Sequence, residues 1–306
     1  MAHALSGGTA GVGLGVRMLR GCGEADGGET PVTEPEGRHP RCYAASRGGC
    51  SPRISREHPI SETVLRVFGN DDGIEIGGFN WSRGGHEFIG YASLGSNVLC
   101  TEHNSALSPL DDTGGALVRR IVDVHTILRL QKRRRPIPDI SISGPEWERW
   151  MIKCLIGLIV SGQSASPAGE GRDWRPPAAW LDTLFDGAPL PERCGLYMPV
   201  TDYGPDAVVP RFSAAPIGRA GGSTYGLRVN WIDKVFVLAL DDPGPAAHPG
   251  SMLDGAAYRP VRWRDSNSIN AARTDLTWGP GWLGPTVNVG HLNPRKFDRR
   301  LPEDDK

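Results

Sequence analysis

Four residues in two pairs constrain this chain more than any other feature. Cys42 and Cys50 sit in a loop of Ala, Ser, Arg and Gly, and Cys100 precedes His103 in the stretch Cys100-Thr101-Glu102-His103. A free cysteine is ordinarily a buried residue, yet the loop around Cys42 and Cys50 offers little apolar surface to bury against. Two ligands on one turn can chelate a tetrahedral ion, and zinc accepts both thiolate and imidazole. The spacing therefore predicts a structural zinc site built from Cys42, Cys50, Cys100 and His103. Cys22, Cys154 and Cys194 should stand apart from it, one in a Gly-rich leader and two within apolar patterns. Six cysteines in 306 residues are too sparse for a disulfide scaffold.

Hydrophobic periodicity divides the rest. Residues 1–37 lack any helical or strand period and read as a disordered leader. Gly11-Val12-Gly13-Leu14-Gly15 has neither the leading strand nor the glycine spacing of a dinucleotide fingerprint. Short apolar pieces at 74–81, 88–91 and 98–99 look like strands. Ser108-Pro109-Leu110-Asp111 has the form of a helix start, with Ser as N-cap and Pro at the first helical position; this leaves little length to a helix opening at Asn104. A second helix opens at Ser143-Gly144-Pro145-Glu146 and carries Trp147, Trp150, Met151, Cys154, Leu155, Leu158 and Ile159 at helical spacing. Residues 163–177 read as an exposed Ser/Pro/Gly/Arg linker, and 178–185 as one more short helix.

Beyond Pro191 the period changes to two. Tyr225, Leu227, Val229 and Trp231 alternate with polar or small residues, and an apolar run follows at 235–240, so the two predict a hairpin turned near 232–234. Further strands are expected at 194–200, 208–212, 256–263 and 273–278. The resulting expectation is an α+β protein: a disordered leader (1–37), an N-terminal zinc domain with a following helix (38–135), a helical segment and linker (136–190), a β-rich C-terminal domain (191–292) and a loose tail (293–306). The hairpin of 224–240 should lie in a sheet that includes no strand from 41–100.

Between the two ligand pairs stands Ser55-Arg56-Glu57-His58-Pro59-Ile60, and Asn104 directly follows the second pair. The order Cys…Cys, then Glu-His at the end of a short strand, then Leu-Cys-x-x-His-Asn opening a helix, resembles the HNH endonucleases, the ββα-metal variety of the treble-clef fold. The resemblance spans about Arg41 to Leu110. It implies a cysteine knuckle with structural Zn²⁺, His58 as general base, and Glu57 and Asn104 as ligands of a catalytic Mg²⁺ or Mn²⁺. It further implies metal-dependent hydrolysis of nucleic-acid phosphodiesters, with DNA ahead of RNA as the partner. The chemistry is coherent: an imidazole can strip a water of its proton near neutral pH, and hard oxygen ligands suit a hydrated Mg²⁺. The alternative is a non-catalytic zinc-stabilised module binding nucleic acid or protein, in which Glu57 and His58 merely support the fold.

Composition narrows the partners. Lys and Arg total 34 against 35 for Asp and Glu, so no global field draws the chain to a polyanion, and any such binding needs a local patch. Candidate patches are the arginines 38, 41, 47, 53, 56 and 66 and the basic run 129–135. The longest apolar run, 151–160, is interrupted by Lys153 and is too short to span a bilayer. With no signal-peptide pattern at the N-terminus, the expected partners exclude membranes and the expected compartment is cytoplasmic. His86-Glu87-Phe88-Ile89-Gly90 lacks the second His of a zinc-protease helix, and no Walker loop or Gly-x-Ser-x-Gly elbow occurs.

Overall fold

The run around Lys153 becomes the central helix of the protein. In the computed structural model it spans Gly144–Ser161 and is buried along almost its whole length. Its start is the predicted one: the Ser143 hydroxyl accepts from the Glu146 amide at 3.3 Å, and Pro145 lies in the first turn, where its missing N–H costs nothing. It ends at Gly162, whose φ of 71° is the left-handed conformation that glycine adopts without penalty. The structure describes residues 37–77, 79, 86–130, 137–164, 166–191, 194–198, 212–218, 222–231, 234–241, 257–258, 262–266, 271–279 and 286–290. The expected leader, Cys22, most of the basic run 129–135 and the tail lie outside them. Pro35–Lys306 folds as one unit.

Thirteen strands and four α-helices are described, a mixed α+β architecture. In chain order they are β1 (Ile54–Glu57), α1 (Glu62–Phe68), β2 (Ile74–Gly77), β3 (His86–Ile89), β4 (Ser96–Cys100), α2 (Thr101–Leu130), β5 (Ile140–Ser143) and the central helix α3. There follow α4 (Ala178–Asp186), β6 (Gly195–Met198), β7 (Phe212–Gly218), β8 (Thr224–Trp231), β9 (Lys234–Ala239), β10 (Ala257–Tyr258), β11 (Arg262–Ser266), β12 (Ala271–Thr277) and β13 (Thr286–Gly290). The hairpin forms as its alternation predicts, β8 pairing with β9 from Gly226↔Ala239 to Trp231↔Lys234.

Two expectations are corrected. The hairpin does not lie in a sheet of its own half. Its seven-stranded sheet runs β10-β6-β9-β8-β7-β2-β3 and so includes two strands from 41–100. The seam is the parallel pairing of β2 with β7, Ile76 opposite Phe212 and Gly77 opposite Ser213. A four-stranded sheet, β13-β11-β12-β5, likewise draws its edge strand β5 from the helical segment. The second correction concerns α2, which starts at Thr101 rather than Ser108 and runs for 30 residues straight through Pro109. An interior proline costs roughly 3 kcal/mol. Seven buried apolar side chains, Leu107, Leu110, Leu117, Val118, Ile121, Val124 and Leu128, each contribute about 1.5–3 kcal/mol and outweigh it. Burial of the stripe overrides the local breaker.

Helix α3 lies between α2 and the sheets. Trp147 and Trp150 stack at 4.7 Å between ring centroids, and Trp231 of β8 packs against both, at 4.9 and 5.8 Å. The Trp150 indole N–H donates to Ser61 Oγ at 2.8 Å. Helices α2 and α3 approach so closely at Gly114 that a Cβ there would stand 2.5 Å from the Trp150 indole nitrogen. Glu148, buried on the same helix, accepts from the Leu196 amide at 2.9 Å and from the Trp278 indole at 3.1 Å, which fastens β6 and the end of β12 to α3. The 163–177 segment is exposed at Pro167–Gly169, Arg172, Asp173 and Arg175. It is nonetheless anchored, because buried Ser166 bonds to Thr224 of β8 at 2.8 Å.

Because one helix and one sheet serve both ends of the chain, residues 37–290 should unfold together. Trp231→Ala removes the aromatic shared by α3 and β8, and a loss of about 3–5 kcal/mol is expected. Calorimetry should show a single endotherm moved to lower temperature; two separated transitions would show that the halves fold independently.

Candidate metal centre

The loop between Cys42 and Cys50 closes on itself. Residues Ala45–Arg47 form one 3-10 turn, and Gly48 and Gly49 follow with φ of 74° and 66°, a reversal that L side chains resist. The chain then returns so that the Cys50 amide donates to Gly37 O at 2.8 Å. The loop is docked on the strand pair, since the Tyr43 amide donates to Val98 O at 3.0 Å. Strand β1 pairs antiparallel with β4, Ile54 opposite Cys100, and α2 begins at the very next residue. Cys100 and His103 therefore share the first turn of a helix, and the His103 amide points at the Cys100 sulfur at 3.5 Å.

These elements bring the four ligand atoms of Cys42, Cys50, Cys100 and His103 within 4.8 Å of one another. His103 Nδ1 lies 3.4, 3.6 and 3.3 Å from the sulfurs of Cys42, Cys50 and Cys100. Tetrahedral bonds of about 2.3 Å to sulfur and 2.0–2.1 Å to nitrogen require N···S separations of roughly 3.5 Å. The set can hold a metal ion and is compatible with zinc. Among the described residues it is the only grouping of three or more Cys, His, Asp or Glu ligand atoms. Cys154 and Cys194 are buried elsewhere. Helix α4 buttresses the loop: Arg47 pairs with Asp182 at 2.9 Å and Asp186 at 2.7 Å, and Phe185 meets the His103 ring edge-on.

The protonation states favour metal capture. Burial, together with the Arg47 charge, holds His103 below its ordinary value and so keeps the imidazole available as a ligand. Burial works against ionisation of Cys100, but hydrogen bonds from His103 and Ser51 outweigh it, and the thiol sits below its ordinary value. For Cys42 burial prevails and the thiol is pushed up to about 12. A bound cation supplies the charge that would release that proton.

The three residues assigned to catalysis do not form a second metal site as they stand. Glu57 turns inward, 5 % exposed, and its Oε1 lies 2.6 Å from the Lys153 ammonium of α3. Lys153 also meets both carboxylate oxygens of Asp111 on α2, at 2.6 and 2.7 Å. Asn104 donates from Nδ2 to Ser55 Oγ at 2.9 Å. A hydrated cation on Glu57 would have to displace a buried ammonium, so these donors do not fit Mg²⁺ or Mn²⁺. The sequence offers Asp111 only as part of a helix start and Lys153 only as an interruption of an apolar run, and neither is expected beside Glu57. The available signal was the single charge inside the run 151–160.

His58 follows β1 directly and lines an open cleft of about 490 Å³ with Arg56, Glu62, Arg66 and Tyr91. Its Nε2 lies 3.1 Å from the Tyr91 carbonyl oxygen. A carbonyl only accepts, so Nε2 carries the proton and Nδ1 of the neutral ring keeps the lone pair. Tyr91 is itself fixed, its hydroxyl donating to Asn70 O at 2.8 Å and its ring lying under the Arg66 guanidinium at 4.6 Å.

The ion group gives a pH-dependent prediction. The two carboxylates beside Lys153 outweigh its desolvation and raise its pKa, so the ammonium persists through neutral pH. Burial raises Glu57, the more enclosed carboxylate, with a side chain 6 % exposed against 26 % for Asp111. A carboxyl raised by folding costs stability above its unfolded pKa and returns it as pH falls. Lys153→Met should therefore cost about 3–5 kcal/mol near pH 7, and the deficit should shrink toward pH 5 as Glu57 takes a proton. Denaturant melts at the two pH values check this; a deficit independent of pH would mean that Glu57 does not carry the unpaired charge. Separately, Cys100→Ser should abolish bound metal, read by elemental analysis, and lower the melting temperature.

No helix among the described residues is long and apolar enough to cross a membrane. Comparison with protein-family models, with curated proteins and with solved structures finds no match.

Proposed function

We propose that the chain acts on nucleic acid through a zinc-stabilised treble-clef module of the HNH kind, in which His58 is the general base for phosphodiester hydrolysis. One observation carries this reading: the four clustered ligands join the Cys42–Cys50 loop to the β4–α2 junction, and the strand paired with β4 ends directly at His58. This supports the knuckle, strand pair and helix that the resemblance implies, with the imidazole beside an open cleft. The ring held by Tyr91 O has Nδ1 available to take a proton from water. The water oxygen then bonds to phosphorus, the P–O bond to the leaving sugar oxygen breaks, that oxygen takes a proton from solvent, and His58 returns its proton to solvent. Arg56 lines the same cleft and suits the phosphate charge, whereas Arg66 there is paired with Glu62. No step is assigned to a cation on Glu57 and Asn104.

A second reading has its own observation. Lys153 stands on Glu57 where the resemblance implies a divalent cation, and this favours the non-catalytic binding module. One pair of assays separates them. With catalysis, wild type nicks plasmid and His58→Ala loses the activity by about 10²-fold or more, while its metal content is unchanged and its melting temperature moves by a few degrees at most. Equal nicking by wild type and variant, or none by either across Mg²⁺, Mn²⁺ and chelator, would remove His58 as the base.

A further inference from the structure

We propose that a second, arginine-lined cleft, reached from the His58 cleft through Arg56, seats the phosphodiester backbone of a bound nucleic acid. The inference rests on the nucleic-acid reading above but not on cleavage. The cleft holds about 500 Å³, is lined by the start of β4, and takes arginines from three other parts of the chain: Arg41 beside Cys42, Arg56 on β1, and Arg172 and Arg175 in the segment after α3. Asp173 is the one carboxylate among its described lining residues. All four arginines are exposed, and among the described residues none is paired with a carboxylate. In a chain of net charge -1, four guanidinium groups against one carboxylate among the described residues around one concavity form a strong local field.

Two of the guanidinium groups are also positioned, those of Arg175 and Arg56. Arg175 donates to the carbonyls of Trp174 at 3.1 Å, Arg172 at 3.3 Å and Pro40 at 3.4 Å, which ties the post-α3 segment to the loop leading to Cys42. Arg56 donates to Ala92 O. Neutral carbonyls fix direction without cancelling charge, so the remaining N–H groups keep their attraction for an anion. Ligand pockets for small molecules are mostly apolar; this one is rimmed by guanidinium groups, the lining suited to phosphate. Because Arg56 lines both clefts, a strand lying along the arginines continues to His58. This also gives the 163–177 segment a task that a plain linker would not have.

The test is fluorescence anisotropy of the full, metal-loaded chain with labelled DNA and RNA oligonucleotides of about 20 nucleotides, on a His58→Ala background to suppress cleavage, at several salt concentrations. The double variant Arg172→Gln/Arg175→Gln should weaken binding about tenfold or more, to a similar extent for different sequences. It should also flatten the dependence of log K on log salt by about one unit per lost phosphate contact. Asp173→Asn should tighten binding several-fold, a gain that misfolding cannot imitate. Unchanged affinity in both variants overturns the inference, as does inorganic phosphate competing at the oligonucleotide's own concentration, which would mark a small-anion site. Wild type that cleaves while its affinity ignores these arginines sinks this inference alone. Wild type that binds through them without cleaving sinks only the catalytic reading.

Discussion

The ammonium of Lys153 is the contact around which the rest of the interior is arranged. A helix buried on all sides has no solvent to receive a charge, and a lone ammonium there would cost several kcal/mol. The fold supplies two carboxylates, Glu57 from β1 and Asp111 from α2, each within 2.6 Å. Meeting that demand locks β1, α2 and α3 into one arrangement. It fixes where β1 ends, and therefore where His58 begins. It also withdraws Glu57 from the surface, so a residue pair that reads as ligand and base is divided into an internal counter-ion and an imidazole at a cleft.

The ligand cluster performs the complementary task at the outer edge. The loop between Cys42 and Cys50 buries Cys42, Tyr43 and Ala44 in the core, and it is held further by four converging ligand atoms and by the Arg47 bridge to α4. Cys100 and His103 are close because β4 passes into α2 without an intervening residue. Placing a ligand pair at a strand–helix junction makes metal binding and the docking of α2 one event. The arginines of the adjoining cleft depend on the same junction, since Pro40 and Arg41 lead into the cysteine loop.

Much of the local structure was legible. The Ser143-Gly144-Pro145-Glu146 start of α3, the alternation of β8 and the four-ligand spacing all rest on short-range chemistry: capping, period and chelate geometry. The 30-residue α2 was not, because Pro109 is locally a terminator and only the depth of burial of Leu107 and Leu110 on either side of it decides that the helix continues. Strand β5 escaped for a related reason. Its four residues are too few to show a period, and they become a strand through parallel pairing with β12, over 130 residues away.

By itself the sequence determined which residues can ligate a metal, which faces must be buried and where turns fall, since these follow from side-chain chemistry and near-neighbour spacing. Only the tertiary structure decided which distant pieces share a sheet and which charges meet. Nothing in Ile76 announces Phe212 as its neighbour, and nothing in Glu57 announces Lys153. Strand pairing across a long loop and the compensation of a buried charge are settled by the lowest free energy of the whole chain, in which an unpaired ammonium or an uncovered strand edge at any one place weighs against every alternative arrangement.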